Sequence, residues 1–236
     1  MRCPTLSTVC GDPSAIPSCR AFHSDHSSSP RGTLGIMLYN GFFDPSRPYF
    51  IRWGNLPHLR QEGGLYFVTF RLNDSIPLKK LQVWDRALKT LRGHNTSREG
   101  ADRVRLAGEI ESLTSQIEVW LDRGWGSCAL RFSAARDIVE STLRYFDGTR
   151  YELGEFYVAP NHVHVIVRPA GNCDLSDIIS SWKRFSTRML WAVPEVRTAT
   201  ERSGGQLWQY ESFDHLIRND QHYDQFISYI RNHAVG

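Results

Sequence analysis

Two histidines one residue apart, His162 and His164, lie in the run Pro160-Asn-His-Val-His-Val-Ile-Val167. The run reads as a β-strand, in which residues two apart share a face, so both imidazoles project together while Val163, Val165 and Val167 face the other way. Two adjacent imidazoles can hold one divalent cation. The same alternation also suits a merely polar sheet face, and a further group is needed to choose.

That group lies in the closing run His222-Tyr-Asp-Gln-Phe-Ile-Ser-Tyr-Ile-Arg-Asn-His233. At the helical turn of about 100° per residue, Tyr223, Phe226, Ile227 and Ile230 form the stripe that must dock on a sheet, and Tyr229 falls roughly 110° from its centre. The core therefore does not require Tyr229. Gln225 and His233 flank it at i−4 and i+4, with His222 two turns back. A rim tyrosine resting its ring on a neighbour fits this placement as well. Taken with the paired imidazoles, however, the phenol suggests attack on a phosphodiester. A cation would neutralise the scissile phosphate, assist the leaving oxygen and favour ionisation of a phenol whose ordinary pKa is about 10. Covalent attack would conserve the energy of the broken bond, so a strand could be rejoined without ATP.

The elements that must position these groups can be read in order. The segment Leu65-Tyr-Phe-Val-Thr-Phe-Arg-Leu72 is an aromatic and β-branched strand. Residues from about 78 to 124 read as an inserted helical hairpin closed by Gly124-Trp-Gly126, with Leu78, Leu81, Leu88 and Leu91 on the first helix and Val104 to Trp120 on the second. Ser133 is the expected N-cap of a helix over 134–146. Strands over 151–158 and 162–168 follow, and then a helix capped by Asp174 and running to about Trp191. Its inward stripe is Leu175, Ile178, Ile179, Trp182, Phe185 and Met189. A strand over 213–218 and a helix over 220–232 complete the chain. The order predicts an α+β fold: one antiparallel sheet, of ferredoxin or RRM type, with helices packed mainly on one face.

Composition narrows the setting. Of 236 residues, 41% are hydrophobic and 22% charged, with a formal charge of +3, which suits a globular chain and excludes a disordered tail or coiled coil. No apolar run is long enough to span a membrane and no secretory leader is evident, so a cytoplasmic protein without a membrane partner is expected. Residues 1–36 are rich in Ser and Pro and are expected to be unpacked, leaving 37–236 as the folded unit. Three of the five cysteines fall in the first nineteen residues and the others are isolated, which gives neither a disulfide framework nor a metal knuckle. The 24 Arg against 4 Lys suit phosphate, although codon usage explains the bias equally well. Lys183, Arg184 and Arg188 are candidates to track a DNA backbone, and Trp208 and Tyr210 to stack an unpaired base.

Together, Pro160-Asn-His-Val-His, Leu207-Trp-Gln with Asp214-His215-Leu-Ile-Arg218, and Tyr229-Ile230 resemble the REP-associated tyrosine transposases, of the HUH single-tyrosine superfamily. The resemblance runs from about Tyr49 to the C-terminus. It implies a metal-dependent single-strand endonuclease and strand transferase, acting on single-stranded or hairpin DNA with Mg²⁺ or Mn²⁺. His162 and His164 would be metal ligands and Tyr229 the nucleophile of a 5′-phosphotyrosine intermediate. The family's third ligand, usually Asn or Gln one turn after the tyrosine, corresponds to His233, and a His-rich set favours Mn²⁺ over Mg²⁺. The family's Asn-Pro is replaced here by His233-Ala234. Relatives occur as monomers and as homodimers that share catalytic residues, and either state is left open. Two other readings suit the same residues: a protein that binds single strands without cutting them, and a phosphodiesterase in which water attacks.

Overall fold

The computed structural model describes residues 41–53, 57–94, 116–201 and 205–235. The expected extension over 1–36, and most of the second helix of the insertion, lie outside the described residues. A hairpin of β1 (Tyr49–Trp53) and β2 (Pro57–Gln61) leads into β3 (Tyr66–Arg71) and α1 (Leu78–His94). Residues 116–121 are helical, and a 3-10 turn (Ala129–Arg131) precedes α2 (Ser133–Arg144). Then come β4 (Tyr151–Val158), β5 (His162–Pro169), α3 (Leu175–Leu190), α4 (Pro194–Thr200), β6 (Phe213–Leu216) and α5 (Asp220–Val235).

The main sheet has the order β4-β5-β3-β6 and is antiparallel throughout, which bears out the expected α+β architecture. β3 and β5 occupy its centre, and the sequence explains why. Tyr66, Val68 and Phe70 share a face with Val163, Val165 and Val167, and this row packs on Val139 and Leu143 of α2 and on Ile178, Ile179 and Trp182 of α3. Each such side chain contributes on the order of 2 kcal/mol on burial, so the valine row fixes which face of β5 turns inward. The opposite face carries Leu65, Phe67 and Ile166 and receives α5 through Ile227 and Ile230, with Phe67 and Phe226 stacked at 4.1 Å. A third, small core of Ile76, Ile117, Leu121 and Phe213 holds helical residues 116–121 against the end of the sheet.

The insertion closes where the glycines predict. Gly126 has φ +89°, and a Cβ there would stand 2.5 Å from the Asp74 carbonyl oxygen, so only glycine fits. Asp74 secures the same turn by accepting from the Ser127 amide at 2.8 Å.

Several local expectations change. The N-cap of α2 is Phe132, without a side-chain cap, and Ser133 is already helical. Asp174 caps α3 as expected, accepting from the Ser176 amide at 2.7 Å. Phe185 and Met189, expected inward, are exposed because α3 buries a stripe narrowed to Leu175, Ile178, Ile179, Trp182, Ser186 and Leu190. Leu78 is likewise exposed. The hairpin β1–β2 and helix α4 were not anticipated. No described helix is long and apolar enough to cross a membrane.

Candidate active site

Because the valines of β5 claim one core, His162 and His164 are turned to the α5 face, where both are fully buried. Burial that deep is tolerated in part because both Nδ1 atoms have hydrogen-bond partners. Asn161 donates its amide N–H groups to the Leu121 and Trp125 carbonyls, both at 3.1 Å, which leaves its oxygen to accept from His162 Nδ1–H at 2.7 Å. Thr69, opposite His164 in the β3–β5 register, donates to Glu118 Oε1 at 3.3 Å and accepts from His164 Nδ1–H at 2.8 Å. With both Nδ1 atoms protonated, the two Nε2 lone pairs face each other 2.8 Å apart. Two such lone pairs repel unless a cation lies against both. Protons are poor candidates for that cation: burial holds the His162 pKa down to about 3, with the nearby His233 adding to the effect, and keeps His164 well below its ordinary value.

Asp122 completes the cluster. Its carboxylate and the two imidazoles place ligand atoms within 4.8 Å of one another, a donor set that fits a divalent metal. Its Oδ1 also lies 2.9 Å from His233 Nε2, while His233 Nδ1–H donates to the Tyr229 carbonyl at 2.9 Å. His233 therefore reaches the centre through Asp122. The Tyr229 hydroxyl donates to Asp122 Oδ2 at 3.5 Å, and its ring stands edge-on to His164 with centroids 5.0 Å apart. Burial raises the phenol's pKa above its ordinary value, and the charges of Glu118 and Asp122 raise it further. Burial, reinforced by Asp122, likewise lifts Glu118 to about 7.

Thus His162, His164, Tyr229 and His233 converge from β5 and α5. Tyr229 is less detached than its angle suggested: it is half-buried and meets Phe67 edge-on at 6.2 Å. Gln225 is exposed and His222 packs on Phe226. Asp122 and Glu118 escaped sequence reasoning because the insertion gave them no recognisable spacing to the histidines. Thr69 did leave a signal, as a polar residue in the otherwise apolar row Leu65, Phe67, Thr69.

The residues expected to meet DNA divide. Arg184 and Arg188 are exposed on α3, and Tyr210 is 84% exposed. Lys183 is corrected: its ammonium donates to the carbonyls of Gln209, Tyr210 and Glu211 at 2.9, 3.0 and 3.1 Å, so its three N–H groups are already engaged. Trp208 is corrected too, being buried against Phe70 with its indole N–H donating to Ser186 Oγ at 3.0 Å, so no base can reach its ring. Lys183→Met should therefore lower stability by about 2 kcal/mol, the scale of a charged hydrogen-bond set. Urea unfolding measures this, and a loss of DNA affinity without a loss of stability would contradict the clamp.

Residues 133–233 match the family model described as "Transposase IS200 like". The matched segment contains the paired histidines and the tyrosine, and the match bears out the transposase resemblance seen in the sequence. Among similar solved structures is a REP-associated tyrosine transposase bound to a REP hairpin, with 17% identity over 78% of this chain and 73% of that one and a TM-score of 0.40. Another is a candidate transposase from Deinococcus radiodurans R1, with 16% identity over 72% of this chain and 89% of that one and a TM-score of 0.32. No curated protein matches the chain.

Proposed function

We propose that this transposase cuts and rejoins single-stranded DNA beside a hairpin through a covalent 5′-phosphotyrosine on Tyr229. The observation that carries the reading is the carboxylate of Asp122, which faces the imidazole pair, His233 and the Tyr229 hydroxyl at once. His162, His164 and Asp122 would hold the metal, with His233 bound to the carboxylate behind it, and the nitrogen content favours Mn²⁺ over Mg²⁺. When bound, such an ion supplies charge neutralisation at the scissile phosphate and assistance to the leaving oxygen.

The chain's own residues do the rest. Asn161 and Thr69 keep both Nε2 atoms free of protons and aimed at one point. The phenol is protonated at rest, and its proton passes to Asp122 Oδ2 as the oxygen attacks phosphorus. The new bond joins Tyr229 to the 5′ phosphate, and the broken P–O bond releases the 3′ oxygen, which takes a proton from solvent to become a 3′ hydroxyl that can later attack the phosphotyrosine and restore the strand. Exposed Arg184 and Arg188 offer phosphate contacts, and Tyr210, projected by the Lys183 clamp, offers a ring for an unpaired base. The hairpin bound by the REP-associated relative supports the choice of substrate.

A denaturing gel with end-labelled hairpin DNA tests the proposal. With Mn²⁺ a protein–DNA adduct should form, and chelation or His164→Ala should lower its yield by on the order of 100-fold or more. Adduct that persists in excess chelator would reject the metal site.

A further inference from the structure

Alongside the site, the insertion carries alternating rings and cations. Lys80 Nζ lies 4.7 Å from the ring centre of Trp120 and 5.1 Å from that of Trp125, and the Arg123 guanidinium lies 5.8 Å from Trp125. Both tryptophans are only half-buried. Trp120 edges the small third core, whereas Trp125 joins none of the cores of described residues. Among the described residues neither Lys80 nor Arg123 has a salt-bridge partner, since Asp122 is turned to His233 and Tyr229, and Asp74 to Ser127. Among the described residues, two positive charges without an ion-pair partner are thus interleaved with two half-buried indoles.

The position of this ladder is fixed relative to the cleavage site. The Trp125 carbonyl receives the Asn161 amide, whose oxygen holds His162, and Arg123 adjoins Asp122 in sequence. We infer that Trp120, Lys80, Trp125 and Arg123 bind the unpaired DNA strand flanking the bond that Tyr229 attacks. The inference rests on the reading of that site as DNA-cutting and adds where its substrate's single strand runs. A single strand is the occupant because it presents base faces to the rings and phosphates to the cations; a duplex keeps its base faces stacked inside. A protein partner with an acidic surface would match the charges but would leave the indoles without matching flat faces.

The test is equilibrium anisotropy of a fluorescein-labelled single-stranded oligonucleotide in metal-free buffer, with its duplex form in parallel. The double variant Lys80→Ala/Arg123→Ala should weaken single-strand binding about tenfold and reduce the salt slope by roughly 1.4, two phosphate contacts at the single-strand value. Trp125→Leu should weaken it about tenfold and Trp125→Phe much less, while duplex affinity stays at the native value in all three. Native single-strand affinity in both the double variant and Trp125→Leu overturns the inference, as does an equal loss for duplex. Should Trp125→Leu fail to fold, the Lys80→Ala/Arg123→Ala variant decides alone. Adduct formation by native protein is scored separately: adduct with unchanged variant binding rejects the ladder only, and weakened variant binding without adduct rejects the tyrosine chemistry only.

Discussion

Tyr229→Phe should abolish covalent attachment to DNA, lowering adduct yield by on the order of 10⁴-fold or more, the scale on which loss of a nucleophile leaves only binding and charge stabilisation. The substitution is clean because the ring and the oxygen have different neighbours. The ring packs edge-on to Phe67 and His164 and would remain, whereas the hydroxyl donates to the Asp122 carboxylate at 3.5 Å. Removing a half-buried hydroxyl beside two carboxylates should leave folding unharmed. Three measurements therefore belong together: adduct on a denaturing gel, unfolding temperature, and hairpin affinity. The first should collapse while the others hold. Cleavage that continues without adduct would mean that water attacks and that Tyr229 merely lines the site.

The largest expected loss of stability lies away from the chemistry. The Asp214 side chain on β6 is 1% exposed and takes ion pairs from both His58 and Arg60 of β2, and His58 also faces Glu211 at 3.6 Å. These contacts fasten the β1–β2 hairpin to the main sheet. Asp214→Ala would leave two cations in a nearly dry pocket and should cost about 3 to 5 kcal/mol, measured by urea unfolding. A pH signature accompanies it. Burial works against a charged His58, but its bonds to Asp214 and Glu211 prevail and raise its pKa from 6.5 to about 9. The folded state thus binds this proton more tightly than the unfolded chain, so the stabilisation is complete below pH 6.5, fades between 6.5 and 9, and is gone above. The window is worth about 3 kcal/mol. In Asp214→Ala the slope over that range should flatten; a wild-type slope would show that another group governs it.

How much of this was legible follows from the range of the interactions. The strand pair and the Asp174 cap are written in local alternation and in a single side chain, and both appear where the sequence places them. The imidazoles and the phenol were legible because a two-residue and a 3.6-residue period say which face each occupies. Asp122 and Glu118 were not, since their approach depends on how the insertion seats on Phe213 and Ile76, which no period encodes. Lys183 and Trp208 were misread for a related reason: a cation and an indole look equally available whether their partners are DNA or the carbonyls and hydroxyl of a neighbouring segment. The β1–β2 hairpin escaped because much of its attachment is polar, through His58, Arg60 and Gln61, with Leu59 packing on the main core.

The alternation of β5 carries one further consequence, for folding fidelity. Were the strand to slip by a single position, its valines would turn to the core beneath α5 and its imidazoles would enter the core beneath α2 and α3, away from Asn161 and Thr69. Such a misregistered sheet would lose apolar burial and strand two polar rings in hydrocarbon together. The side chains placed for reactivity thus double as a proofreading device against wrong assembly.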